Sequence, residues 1–252
     1  MKRLFTTVIL LGFVFSVVST FAQERTKTIG LEKYREIIEN YTPYQPQSPD
    51  SRQSGVLIYS ENFDGPAGTL PAGWTSSGSS TSCVWNVDAT PNPPGFYSAD
   101  YSLNYNNGVT FDCSSNWGWV QTGLIPVSGN PFEIEFEYLI SNECGGIPCG
   151  FDQMYVTVFD DSYNVLFSDL PTGNYSSWSS KYYYYDNPGA VDFIRIEFYF
   201  DTYDPIANAY SGPFIDDLAV YGAAVTPISW WAIAIGIFLI VSFTVLRFRR
   251  LS

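Results

Sequence analysis

Near the middle of the chain, apolar and acidic side chains alternate in a way that narrows the folds open to it. The apolar members are Phe132, Ile134, Phe136, Tyr138 and Ile140, and the acidic members between them are Glu133, Glu135 and Glu137. Successive side chains of a β-strand point to opposite faces of its sheet. This period of two predicts a half-buried strand whose glutamates face water.

Further strand candidates surround this one. They are 154–159, 192–200 and 214–221, and clusters of Gly, Pro, Asn and Asp separate them. Short strands bounded by turn residues, with no helical segments between them, are typical of antiparallel sandwiches and jelly rolls. The sequence therefore predicts an all-β domain over 56–222, folded as an antiparallel β-sandwich.

The N-terminal residues have the composition of an export signal. A basic start precedes the apolar run 4–18, and Thr20 and Ala22 place small residues where a signal peptidase cuts. We predict a signal peptide over 1–22. Residues 23–55 then contain a short amphipathic helix and a proline-rich linker, which cannot build a core.

The C-terminal residues 223–252 have the layout of a single membrane span. Residues 228–246 carry no charge and as a helix would be about 28 Å long, against a hydrocarbon core of about 30 Å. The flanking residues are Trp230 and Trp231 at the outer edge and Arg247, Arg249 and Arg250 at the other. Because basic residues stay in the cytoplasm, this tail predicts that everything before it is exported.

The charge of the chain excludes nucleic acid as a partner. Its 252 residues include 25 acidic and 12 basic ones, and 56–222 alone holds 20 acidic residues against Lys181 and Arg195, a local balance of −18. Such a surface repels phosphate backbones and favours cations. The chain contains no histidine, which also excludes Ser-His-Asp triads, Cys-His pairs and histidine-ligated metal sites.

Four cysteines follow the signal peptide, an even number that predicts two disulfides in an oxidising compartment. Three connectivities are possible. We favour Cys144 with Cys149, which closes a small loop between two strand candidates, and Cys83 with Cys113. The sequence lacks the paired C-x-x-C knuckles of a four-cysteine zinc site.

Two adjacent aspartates interrupt the last strand candidate. Regular alternation places Asp216 on the face of Phe214, Leu218 and Val220, which we expect to be buried, and Asp217 on the opposite face. A buried carboxylate needs either a metal ion or strong hydrogen bonds. The pattern leaves both open.

Consecutive aromatic residues form another candidate site, which would bind a ligand. They are Trp178, Tyr182, Tyr183, Tyr184 and Tyr185. In a strand, half of the tyrosines face the core, and the outward half could stack against sugar rings. Packing in the core is the alternative for these residues.

The β region opens with Tyr59–Gly65 and Leu70–Thr75, continues through Ser98–Asn106 and closes with Gly212–Val220. In this order the segments resemble the choice-of-anchor and cleaved-adhesin domains of bacterial surface proteins. The resemblance implies a galactose-binding-like jelly roll of adhesin or carbohydrate-binding type, stabilised by calcium. It supports a calcium site near the first and last strands, with the ligands Glu61, Asp64, Asp216 and Asp217.

The tail resembles a second family. Thr226–Trp231, the apolar span and the arginine cluster have the three-part layout of exosortase-type C-terminal sorting signals of gram-negative bacteria. This resemblance implies cleavage near Pro227 by an integral-membrane sorting enzyme, and a location in the cell envelope. A plain membrane anchor is the alternative.

We predict an exported surface module that binds a glycan or a protein and catalyses no reaction. Two other classes stay open. A two-carboxylate glycoside hydrolase could use Glu133, Glu135 and Glu137, spaced about 6.6 Å apart along one strand face, although a solvated face explains the same pattern. The third class is a structural subunit of a larger surface assembly.

Overall fold

The computed structural model of the protein describes residues 55–89, 97–98, 100–143, 151–172, 177–187, 189–203 and 205–222. This part of the chain contains twelve β-strands and no helix, and so no helix that could cross a membrane. The strands are β1 (Val56–Glu61), β2 (Thr75–Gly78), β3 (Val84–Asp88), β4 (Ser102–Asn106), β5 (Trp117–Gln121), β6 (Ile125–Pro126), β7 (Phe132–Ser141), β8 (Gln153–Asp160), β9 (Val165–Asp169), β10 (Ser179–Tyr185), β11 (Phe193–Asp201) and β12 (Gly212–Gly222). The predicted signal peptide, linker helix and C-terminal span lie outside the described residues.

The strands form two six-stranded antiparallel sheets. In sheet A the order is β10-β7-β12-β4-β3, and β1 also pairs with β12. In sheet B the order is β2-β5-β11-β8-β9, and β6 also pairs with β11. The chain therefore crosses repeatedly between the sheets, and the predicted all-β antiparallel sandwich is confirmed.

Aromatic rings from both sheets meet in one apolar core. Phe136 of β7 packs edge-on against Phe198 of β11, with ring centroids 5.3 Å apart. Tyr105 of β4 packs against Phe200 of β11 at 5.5 Å. All four rings are fully buried. Burying one such ring stabilises the fold by about 1.5–3 kcal/mol, so these contacts hold the two sheets together.

A disulfide joins Cys83 and Cys113, as predicted. It ties the residue before β3 to the segment that precedes β5, with the two Cα atoms 6.0 Å apart. The other predicted bridge, between Cys144 and Cys149, lies outside the described residues.

The last strand does not alternate as predicted. Asp217 has a positive φ of 46°, and the pairing of β12 with β7 shifts directly after Asp216. This β-bulge reverses the side to which the following residues point. Phe214 and Asp216 therefore lie on the outer face of sheet A. Leu218 and Val220 belong to the core, so the prediction that all four share one face is wrong.

The glutamates of β7 lie on the outer face of sheet A, as alternation predicts, but they are not all solvated. Glu133 is only 8% exposed, because Tyr184 of β10 and Tyr221 of β12 pair with it from the two neighbouring strands. Glu135 and Glu137 are half-buried. The prediction of a solvated glutamate face is wrong for Glu133, because β7 is an inner strand with a tyrosine on each side of this position.

Candidate functional site

The predicted tyrosines of β10 divide between the core and the outer face of sheet A. Tyr183 is 1% exposed, and its ring centroid lies 5.2 Å from that of Phe167. Tyr185 packs against the same ring at 5.7 Å. Tyr182 and Tyr184 alternate with them and are half-buried on the outer face. Two of the four tyrosines are therefore positioned to meet a ligand.

Trp178 lies over the outer face of sheet A. Its ring centroid is 6.3 Å from that of Phe214 and 5.9 Å from that of Tyr97. Phe214 is fully buried although it lies outside the main core. The indole thus covers an outward apolar side chain, which leaves less of its surface for a ligand.

The carboxylate of Asp216 is buried, as predicted, and hydrogen bonds satisfy it. Its Oδ2 accepts bonds from the backbone N–H groups of Tyr97 and Ser98, at 2.8 and 3.0 Å. Its Oδ1 accepts a bond of 2.8 Å from the backbone N–H of Asp217. Burial raises the pKa of Asp216 to about 6, and the three hydrogen bonds oppose this effect only in part.

The other predicted calcium ligands are engaged locally. Glu61 Oε1 accepts a bond of 2.9 Å from the backbone N–H of Phe63, and Asp64 Oδ2 accepts one of 2.6 Å from Asn62 Nδ2. Nowhere in the described part of the chain do three or more acidic or cysteine side chains converge to hold a metal ion. The predicted ligand set, which also includes Asp216 and Asp217, therefore does not fit the implied site. Calcium binding by the whole chain stays a prediction.

A second candidate site, which the sequence analysis did not single out, lies on the outer face of sheet B. Tyr155 of β8 and Tyr199 of β11 form a small apolar cluster there, separate from the core, and each is 3% exposed. The half-buried Trp117 and Trp119 of β5 pack against this pair. The ring centroid of Tyr199 lies 6.2 Å from that of Trp117, with the planes 25° apart, and 6.1 Å from that of Tyr155. We call these four residues the aromatic platform.

Gly118 explains how β5 carries two tryptophans on one face without leaving the core. It stands between them and points inward, where an added Cβ would collide with the ring of Tyr105. The hydroxyl of Tyr105 donates a bond of 2.7 Å to Asn116 Oδ1, which fixes this ring against β5. A larger residue at this position would push the strand outward.

Hydrogen-bonding side chains border the aromatic platform. Gln121 Nε2 donates to Glu197 Oε2 at 3.0 Å, and the Tyr199 hydroxyl donates to Asp201 Oδ2 at 2.8 Å. Burial, together with the Asp201 carboxylate, raises the pKa of Tyr199. Its phenol therefore stays protonated at physiological pH. The face combines ring surface with amide, carboxylate and hydroxyl groups in fixed positions.

The sequence carries a short signal for this platform. Trp117 and Trp119 have the spacing of two residues on one strand face. Their partners Tyr155 and Tyr199 come from distant strands, and only the sheet order β5-β11-β8 brings the four rings together. The tryptophan pair could have been found from the sequence, and the tyrosines beneath it could not.

Comparison with known proteins gives structural similarity only. The sequence matches no protein-family model and no curated protein. Similar solved structures include TmCBM61 in complex with β-1,4-galactotriose, with a TM-score of 0.44 and 16% identity over 60% of this chain and 89% of that one. A cleaved adhesin domain of Lys-gingipain from Porphyromonas gingivalis has a TM-score of 0.43 and 13% identity, over 65% and 97%. The CBM22-1 xylan-binding domain of Xyn10C from Paenibacillus barcinonensis has a TM-score of 0.41 and 13% identity, over 69% and 98%. At these scores the similarities establish neither a family nor a ligand.

Proposed function

We propose that this protein is a non-catalytic carbohydrate-binding β-sandwich of jelly-roll type, and that its glycan binds on the aromatic platform of sheet B. One observation carries the proposal. Trp117 and Trp119 are half-buried on an outer sheet face, above two buried tyrosines and on the same face as the half-buried carboxylate of Asp201.

The chemistry of this face suits a sugar ring. A pyranose presents C–H groups on its faces and hydroxyl groups around its edge. Tryptophan and tyrosine offer apolar ring surface to the C–H groups, while the half-buried carboxylate of Asp201, beside the Tyr199 hydroxyl, can accept hydrogen bonds from the sugar. Because Tyr155 and Tyr199 are locked by packing, the platform exists before a ligand arrives, which lowers the entropic cost of binding.

The outward tyrosines of sheet A are the second location for a glycan. Tyr182 and Tyr184 each pair across the strands with a glutamate, Glu135 and Glu133, and Trp178 already covers Phe214. The two faces are equally half-buried at these positions, but the two indoles of sheet B offer larger apolar ring surfaces than two phenols do. We therefore place the aromatic platform first.

We also propose that the module is exported to the surface of a gram-negative cell and that its C-terminal tail is a sorting signal. The signal-like residues 1–22 and the uncharged run 228–246 before the arginine cluster support this location. Processing near Pro227 by an exosortase-type enzyme predicts that surface-extracted protein lacks 228–252. Intact-mass measurement of surface-extracted protein tests this processing. A mass that still includes 228–252 would mean that the tail is a plain membrane anchor.

A glycan array tests the binding function. We expect the full chain to bind at least one class of glycan, and Trp119→Ala to weaken that binding at least about tenfold, as the loss of a central aromatic anchor does in binding sites. Trp178→Ala is the matched control, because it removes a half-buried tryptophan from the other sheet. The control should bind as the wild type does.

Three outcomes would change this account. A wild-type chain that binds no glycan on the array contradicts the function. Normal binding by Trp119→Ala, with binding lost in Trp178→Ala or Tyr182→Ala, moves the site to sheet A. Shortened products released from a bound glycan support the glycoside hydrolase class instead.

A further inference from the structure

Arg195 lies on the same outer face of sheet B as the aromatic platform. It alternates along β11 with Glu197 and Tyr199, while Ile194 and Ile196 on either side of it belong to the core. Residues two apart on one strand are separated by about 6.6 Å, so Arg195 lies about 13 Å from Tyr199 along the strand. An oligosaccharide that starts on the platform and follows β11 reaches this side chain.

The guanidinium of Arg195 is held in place but not neutralised. Its Cζ lies 5.0 Å from the ring centroid of Tyr163, and Phe159 of β8 pairs with it across the sheet. Within the described part of the chain, Nε of Arg195 is buried without a hydrogen-bond partner, and no carboxylate forms an ion pair with it. Glu197, the next residue on the same face, receives a hydrogen bond from Gln121.

The region 56–222 as a whole repels anions, so a carboxylate on a ligand can be bound only directly beside one of its few cationic side chains. Arg195 is one of two basic residues in 56–222, against 20 acidic ones. The other is Lys181, and it forms an ion pair of 2.5 Å with Asp169. Burying a guanidinium nitrogen that lacks an acceptor costs free energy. Because Nε itself is buried, a ligand carboxylate would pair with the two terminal nitrogens of the guanidinium, and this ion pair would offset the cost of holding the charge at a half-buried position.

We propose that Arg195 recognises a carboxylate on the glycan, so that the ligand class is an oligosaccharide containing uronic acid. This inference rests on the proposed function and names its substrate class. A planar guanidinium pairs with a carboxylate through two parallel hydrogen bonds. The ring of Tyr163 packs against the guanidinium of Arg195 and so helps to fix its orientation. The aromatic platform holds the sugar rings, and Arg195 selects the rings that carry a carboxylate.

Paired probes measure how much the ligand carboxylate contributes to binding. The full chain is titrated with trigalacturonate, with the same trisaccharide after its carboxylates are reduced to hydroxymethyl groups, and with a sulfated galactose trisaccharide. We expect trigalacturonate to bind at least about tenfold more tightly than its reduced form, because a hydrogen-bonded charge pair is lost in the latter. Arg195→Gln should remove this preference.

Two further variants separate the paired hydrogen bonds of the guanidinium from its charge. Arg195→Lys keeps the charge but cannot form two parallel hydrogen bonds, so it should retain only part of the preference for trigalacturonate. Lys181→Gln is the matched control, since it removes one positive charge from sheet A and should leave the preference unchanged. If Arg195→Gln melts early, Tyr163→Ala replaces it, because it removes the supporting ring at an exposed position and should weaken the preference in the same direction.

Several results would overturn the inference. They are no binding of trigalacturonate, equal binding of the acidic and reduced trisaccharides, a preference that survives in Arg195→Gln, and tighter binding of the sulfated probe. If neutral glycans still bind in these experiments, and Trp119→Ala still weakens their binding, the proposed function stands although this inference fails. A wild-type chain that binds no glycan on any array is the separate failure of the proposed function.

Discussion

Asp216 combines two opposing electrostatic effects in a single side chain. It is fully buried, which favours the neutral acid. Three backbone N–H groups donate to it, which favours the carboxylate. Burial is the larger effect and raises the pKa to about 6, from an ordinary value of 3.8. The folded protein therefore holds this proton more tightly than the unfolded chain does.

The raised pKa predicts a pH dependence of stability with a definite sign. The contribution of protonated Asp216 is complete below pH 3.8 and is lost as the pH rises through about 6. The loss amounts to at most about 3 kcal/mol. Asp216→Asn has no carboxyl group, so its free energy of unfolding should fall less than that of the wild type across this pH range.

Denaturant unfolding at several pH values measures this difference. Asp64→Asn is the control, because it removes one carboxylate from an exposed position. Parallel pH profiles for the wild type and Asp216→Asn would contradict the raised pKa.

The sequence predicts the burial of Asp216 but neither its face nor its partners. Two of its donors, Tyr97 and Ser98, are 119 and 118 residues away in the chain. The bulge at Asp217 depends on a positive φ at a non-glycine residue, which hydrophobic alternation does not encode. A local pattern can therefore show that a carboxylate needs a partner, and only the tertiary fold supplies that partner.

At the scale of the strand, β10 divides its side chains between two environments. Tyr183 is buried, and its hydroxyl donates a bond of 2.9 Å to Asp169 Oδ2. Tyr182 is half-buried on the outer face. We expect Tyr183→Ala to lower the free energy of unfolding by about 3–5 kcal/mol, and Tyr182→Ala to lower it by about 1 kcal/mol or less. Thermal or denaturant unfolding of the two variants measures this, and equal losses would mean that β10 does not alternate as described.

Strands with strict alternation could be predicted, and strands with short or mixed patterns could not be placed. The alternating residues of β7 predict both its type and its inward face. Its glutamates were expected in water because alternation shows the face and not the neighbours, and Tyr184 and Tyr221 shield Glu133. The platform strand β5 is only five residues long, and its binding surface exists only once β11 and β8 lie beside it.

For the whole molecule, the excess of carboxylates raises the question of calcium. The 20 acidic residues of 56–222 repel one another, and a divalent ion would relieve this repulsion. Calcium at 100 times its dissociation constant would stabilise the fold by about 2.7 kcal/mol, so we expect calcium to raise the melting temperature and a chelator to reverse that rise. Because Asp216 is already satisfied by hydrogen bonds, the rise should persist in Asp216→Asn. A melting temperature that neither calcium nor chelator changes would contradict calcium binding.

The position of the bound glycan is the central claim, and tryptophan indole signals measure it directly. The described residues include five tryptophans: Trp74 and Trp85 in the core, Trp117 and Trp119 on the aromatic platform, and Trp178 on sheet A. In the full chain with nitrogen-15-labelled tryptophan, single Trp→Phe variants assign each Nε1–H resonance. Titration with a glycan that binds on the array should shift the signals of Trp117 and Trp119 and leave that of Trp178 in place. A shift at Trp178, with both platform signals unmoved, would contradict the account.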